Sequence, residues 1–336
     1  MIYYRLIALW VLCETMLGSI IHGAKMPGSG LILGSCAVIC ISLIAYHTPA
    51  KGSILKAMLI VAIFKMMLSP QAPPTAYVAL FFQGLIGETL FWNRKIYSVS
   101  CLLFGILVLL ESGSQRIVIL TIVYGRDLWQ ALDAFINNLT GQIIVTNYSY
   151  FFVIGYLLIH VVVGGAVGWW AGRLPQKIHS WTTLHKDYLL TNEVSDTSKP
   201  EALLYQPPKR KKKLRYSVIV IWLLVLSLYM QSTLNIGPPL LPPHVPVRIL
   251  IRSLCILLTC YFVIGPYLTW LLNRWLQKRI LKENETIDKI LHFLPDTKEL
   301  VMRSWQLTAG KTGGRRVLLC GKIILLNVTH SARTQL

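Results

Sequence analysis

Acidic residues are scarce in this sequence: 14 Asp and Glu stand against 33 Lys and Arg in 336 residues, and charged residues of both signs make up only 14% of the chain. A soluble chain carries about 25% charged residues, so the deficit excludes an ordinary globular enzyme in water. The other side of the deficit is a 54% share of hydrophobic side chains and a mean hydropathy of +0.56, more apolar surface than a chain of this length can hide inside itself. Paired cysteine motifs are missing as well. The seven cysteines, at 13, 36, 40, 101, 255, 260 and 320, fall mostly in apolar runs, where a thiol behaves as a small hydrophobe, and neither a disulfide framework nor a zinc pattern is expected. No HExxH, DxD or GxSxG arrangement occurs in the apolar runs. Gly310-Lys311-Thr312 imitates a phosphate loop, but the position five residues before Gly310 is Trp305, not glycine. A nucleotide site there is excluded, and the reading is a protein that is not an enzyme, with no cofactor, no metal centre and no nucleic-acid partner.

What is present is a series of apolar runs near the length that crosses a hydrocarbon core of about 30 Å. They fall near 6–23, 29–46, 53–69, 76–92, 97–113, 150–172, 216–231 and 248–272. The expected fold is therefore an all-α, polytopic integral membrane protein of about eight transmembrane helices, six plus two. Residues 1–175 make a six-helix membrane domain, 176–215 a basic cytoplasmic linker, 216–272 a two-helix hairpin and 273–336 a basic cytoplasmic tail. RDLWQALDAFINNL, within 126–139, carries Leu128, Leu132, Phe135 and Ile136 on one face with polar groups opposite, the pattern of a helix lying in the interface. Orientation follows from Lys and Arg. Arg5, Lys51, Arg94, Lys95 and the tract from Arg173 to Arg215 mark one side, whereas 69–75, 136–150 and 231–247 carry no charge, so both termini are placed in the cytoplasm. Lys25 lies on the other side. The run KRKKKLR at 209–215 reads as a stop at the headgroups of membrane lipid.

Ionisable side chains inside apolar runs are costly unless they face a partner or a wet cavity. Counting along each helix from its cytoplasmic edge places Glu14 roughly 12 Å deep, Lys65 and His160 about 18 Å, and Lys56 and Glu88 about 5 Å. The deep layer, Glu14, Lys65 and His160, is the candidate substrate site, with Gln83 as a neighbour and His22 and Lys25 near its outer mouth. The shallow layer, Lys56 with Glu88, is expected to be a structural ion pair. Gln83, Gly84, Gly87 and Glu88 form a polar and small stripe on one run, while Gly164, Gly168 and Gly172 repeat at four-residue spacing on another. Small residues at that spacing let a second backbone approach, from inside the domain or from a separate membrane subunit. Ser69-Pro-Gln-Ala-Pro-Pro-Thr75 is a stiff external connector.

The order KGSILKAMLIVAIFKMMLSPQAPPTAYVALFFQGLIGE at 51–88, the glycine-rich FFVIGYLLIHVVVGGAVGWWAGRLP at 151–175 and six spans with both ends inside resemble the substrate-binding component of energy-coupling factor (ECF) transporters, over residues 1–175. The resemblance implies capture of a small molecule or ion, a vitamin-like solute or a metal ion, from the external side. It also implies a separate ATPase and a coupling membrane subunit as partners, in a bacterial inner membrane. The chain departs from the family in lacking an AxxxA pair on its first helix, where Ala8 and Gly18 stand instead. The C-terminal part is faintly similar to the coupling component, without its Ala-Arg-Gly motifs. A non-transporting membrane scaffold or assembly factor is the alternative of a different class. The topology is checked by cysteine labelling from outside intact cells: an engineered cysteine at Lys211 is expected to stay unlabelled and one at Thr75 to react, and the reverse pattern overturns the orientation.

Overall fold

A computed structural model describes residues 1–23, 28–69, 72–93, 96–140, 147–184, 188, 223, 245–280 and 283–330. All regular structure among them is helical. In chain order the helices are α1 (Ile2–Leu12), a π-helical turn (Cys13–Leu17), α2 (Gly18–Gly23), α3 (Ser29–His47), α4 (Ser53–Leu68), α5 (Pro74–Leu90), α6 (Tyr97–Tyr124), α7 (Arg126–Thr140) and α8 (Tyr148–Leu184). They continue with α9 (Val245–Thr259), a second π-turn (Cys260–Ile264), α10 (Gly265–Ile280), α11 (Asn284–Leu307) and α12 (Gly313–His330).

Among the described residues, five stretches are long and apolar enough to cross a membrane: Ile2–Ile21, Ser29–His47, Tyr97–Tyr124, Tyr148–Thr182 and Leu250–Ile280. The runs expected at 53–69 and 76–92 form helices of 16 and 17 residues. At 1.5 Å per residue these reach only about 24–26 Å, short of the hydrocarbon thickness. Residues 216–231 lie outside the described residues, Leu223 apart. Two boundaries also move. The run ending at 113 continues as helix to Tyr124, and the sixth runs through Pro175 to Leu184. Pro175 lacks an N–H and leaves the carbonyl of Ala171 without its usual donor, a cost that ends many helices but not this one.

The described chain divides into two compact units, one of Met1–Ser112, His160–Tyr205 and Asn273–Leu336, the other of Gly113–Ile159 and Gln206–Leu272. The basic tail groups with the N-terminal helices. The reason is an apolar stripe on α11, where Ile287, Ile290 and Leu294 are buried. α11 packs on α1, Phe293 stacks on Tyr4 with ring centroids 6.5 Å apart, and the Arg5 guanidinium lies 5.7 Å from the Phe293 ring. On its exposed side Lys289 donates to Glu285 at 2.6 Å, and that bond, with the charge behind it, holds the Glu285 carboxyl below the usual range and the Lys289 ammonium above its own.

In the first unit α1 and α4 form the core. Leu6, Ile7, Ala8, Trp10 and Val11 on α1, and Ala57, Ile60, Val61, Ala62 and Ile63 on α4, are fully buried. α5 starts with Pro74 at its first position, where a missing N–H costs nothing. Its Gly84 and Gly87 face Met58 and Ile41, so the stripe read from the sequence is an internal packing face. The glycines of α8 behave likewise. Gly164 lies against the backbone of Gly105, Gly168 against the carbonyl of Cys101 and Gly172 against Ser98, all on α6. That face is covered by this chain and is not available to a separate subunit.

In the second unit α7 is amphipathic, as its sequence predicts. Asp133 of α7 accepts hydrogen bonds from the Ser149 N–H at 2.6 Å and the Ser149 hydroxyl at 2.9 Å, capping the start of α8. Gly125, with φ of 76°, makes the turn between α6 and α7 and packs against the Arg252 guanidinium, which leaves no room for a side chain there.

Since two backbones meet at Gly168, Gly168→Leu is expected to abolish monodisperse assembly in detergent, while Ala166→Leu, on the exposed side of α8, leaves yield and melting unchanged. Comparable yields and melting temperatures for the two variants would contradict the packing.

Candidate functional site

The polar centre of the first unit is one contact. Lys65 Nζ donates to Glu14 Oε2 at 2.6 Å, and each side chain is only 6% exposed. Both charges come from segments that are otherwise apolar: Glu14 from the π-turn that follows α1, Lys65 from the last turn of α4. A π-turn inserts one extra residue into the helical ladder and often marks a functional site. Here it contains Glu14 and Thr15, whose hydroxyl bonds back to the Val11 carbonyl at 2.7 Å. One turn on, the Ser19 hydroxyl donates to the Thr15 carbonyl and lies 3.5 Å from the Ser69 hydroxyl at the end of α4. The Tyr77 ring of α5 sits 5.9 Å from Lys65 Nζ, a face that favours a cation.

Two buried polar atoms of these helices have no hydrogen-bond partner: Trp10 Nε1, one turn before Glu14 on α1, and Gln83 Oε1 on α5. Trp10 is fully buried and Gln83 is 5% exposed. A buried donor or acceptor without a partner costs about 1–3 kcal/mol. The α1, α4 and α5 group therefore holds one ionic bond together with one spare donor and one spare acceptor among otherwise apolar side chains.

Of the residues expected to form the site, Glu14 and Lys65 are brought together and Gln83 is buried on α5. His160 is also buried, on α8. The side chain of His22 and all of Lys25 lie outside the described residues. Tyr77, Thr15 and Trp10 were not anticipated. Tyr77 lies directly after the proline-rich connector, and Trp10 stands one turn from Glu14, so spacing to the two charges is the signal that marks them.

The shallow layer requires a correction. Lys56 and Glu88 do not pair. Lys56 Nζ lies 2.9 Å from Glu283 Oε2, at the entrance to α11. Glu88 instead accepts from three backbone amides where α4 begins, those of Gly52 at 2.5 Å, Ile54 at 3.2 Å and Leu55 at 3.4 Å. The four free N–H groups of a helix start, with the positive end of its dipole, compete for a carboxylate more strongly than a long, half-exposed lysine does. A small cavity of about 80 Å³ adjoins this cap, lined by Thr48, Lys51, Glu88 and Trp92 among others, with Lys51 Nζ 4.1 Å from the Trp92 ring centroid. Glu88 is thus committed to holding α4 and has little capacity left for a ligand. Among the described residues no group of three His, Cys, Asp or Glu side chains converges to hold a metal ion.

Comparison with family models, curated proteins and solved structures gives no match. The site rests on its own geometry.

Removing one partner of a buried ion pair strands the other charge, at a cost of about 3–5 kcal/mol, whereas replacing both by neutral groups is often nearly neutral. Glu14→Gln alone and Lys65→Met alone are therefore expected to melt well below the parent protein in detergent, and the double variant close to it. A double variant that melts at the sum of the two losses would show that the charges do not act on each other.

Proposed function

We propose that this chain is the membrane subunit of an uptake system for a small solute, with the solute site built around Glu14 and Lys65. The observation that carries the reading is the buried pair at the π-turn, with the unpartnered Trp10 Nε1 and Gln83 Oε1 on the helices beside it. Helix packing alone gives no reason to keep two opposite charges and two unsatisfied polar atoms among Ile, Leu and Val. Opening the pair offers a solute one cationic and one anionic contact, with Tyr77 beside the cation. That set suits an organic molecule with polar ends better than a bare metal ion, since no ligand cluster accompanies it. Entry is from the external side, the side toward which Ser19 and Ser69 lie in the orientation read from Lys and Arg. The full arrangement is eight spans in a bacterial inner membrane with both termini in the cytoplasm, and α4 and α5 cross with local thinning of the bilayer. Energy comes from a separate ATPase, in the manner of the transporters the sequence resembles. The docking surface for a coupling subunit is not the Gly164, Gly168 and Gly172 face, which α6 occupies.

A non-transporting scaffold is the second reading, favoured by the directness of the 2.6 Å contact, which needs no ligand to complete it. Native mass spectrometry of the full chain released from its own membrane separates the two. Transport predicts a bound small molecule in the parent protein and its loss in the folded Glu14→Gln/Lys65→Met variant. Absence of any adduct from the parent protein, or an adduct retained by the double variant, supports the scaffold.

A further inference from the structure

The hairpin of α11 and α12 buries one face and leaves its tip bare. Ile287, Ile290 and Leu294 on α11, and Ile323, Leu325 and Leu326 on α12, are in the core. Around the turn at 308–312, by contrast, Met302, Trp305, Leu307, Val317 and Leu318 are 46–66% exposed. Neither helix is among those that qualify as membrane spans. Five large apolar side chains gathered at one tip are more than the scattered exposure of an ordinary surface.

The charge around the tip has one sign. From 297 to 330 the sole carboxylate is Glu299, and Arg303 neutralises it at 2.6 Å. Lys311 and Arg315 are exposed. Arg316 lies over the Trp305 ring at 4.0 Å and donates to the Trp305 carbonyl at 3.2 Å, fastening the two helices across the turn. Tryptophan with an apolar body and a polar edge, aliphatic side chains beside it, and cations at the rim are the composition that settles at headgroup depth in a bilayer.

We propose that the tip of the α11–α12 hairpin docks into the surface of an anionic bilayer, with Trp305, Val317 and Leu318 among the acyl chains and Lys311 and Arg315 on lipid phosphates. The occupant is identified by charge complementarity: the patch offers cations without competing carboxylates, and an anionic leaflet attracts them without requiring a shaped partner. The hairpin then acts as a second membrane attachment, separate from the spans, that ties the N-terminus of α1 to the leaflet through α11.

The test uses the purified full chain in lipid nanodiscs, with the photoreactive residue p-benzoylphenylalanine in place of Leu318. After illumination, mass spectrometry counts lipid adducts at position 318 in discs of phosphatidylcholine alone and in discs that contain phosphatidylglycerol. Adducts are expected to be about fivefold more abundant with the anionic lipid, and Lys311→Ala/Arg315→Ala should remove that excess. Neither substituted side chain is buried, so melting should not change. Equal adducts in both discs would overturn charge recognition. No lipid adducts in either would overturn membrane docking and leave the patch to a protein partner.

Discussion

The contact on which the first unit depends is the ion pair between Glu14 and Lys65. Each residue alone would be prohibitive in its apolar helix, so α1 and α4 are held at the one register in which Lys65 Nζ reaches Glu14 Oε2 at 2.6 Å. The rest of the unit follows from protecting that contact. Residues Leu6 to Leu12 of α1 are all buried, which requires cover on several sides, and α3, α4, α11 and α12 all pack against it. The basic tail is thus part of the core's shielding. The π-turn at Cys13–Leu17 fits the same constraint, since the extra residue shifts the phase of the helix at the point where the charged side chain must face inward.

Two further devices fix other helices of the unit. α6 and α8 meet through glycine, with Gly105 of α6 against Gly164 and the Cys101 carbonyl against Gly168. Such a contact draws its energy from close packing and depends on shape. Glu88 fixes α4 from the other direction, taking its N-terminal amides while Lys56 turns to Glu283. The Lys56 to Glu283 bond is partly exposed and contributes little stability, about 0–1 kcal/mol. Its use is connection, because it joins the start of α4 to the start of α11.

Much of this was legible in the sequence. An apolar run cannot keep a charge without a reason, and counting residues from the helix ends placed Glu14 and Lys65 at depths that allow contact. The four-residue glycine spacing on α8 identified a backbone-contact face, although only the structure supplies Gly105 as its counterpart. What was not legible depends on long-range choices. Glu88 had two suitors at the same depth, an ammonium and a helix start, and depth does not decide between them. Glu283 lies in a polar stretch far along the chain and carries no local mark of a partner in α4. The run at 53–69 becomes a helix one residue shorter, and the run at 76–92 becomes a helix of equal length that starts two residues earlier, at Pro74, because proline is well suited to a first helical position. α8 continues through Pro175 to Leu184, past the end of the apolar run at 172, and hydropathy carries no mark of that polar extension.

The arrangement of the first unit depends on direct contact between the Glu14 and Lys65 charges. Solid-state NMR on the isotopically labelled protein in lipid measures the dipolar coupling between the Glu14 carboxylate carbon and the Lys65 side-chain nitrogen. A strong coupling, of the size that a 2.6 Å nitrogen-to-oxygen contact produces, is the predicted result. Both signals present and assigned, with no coupling between them, would contradict it.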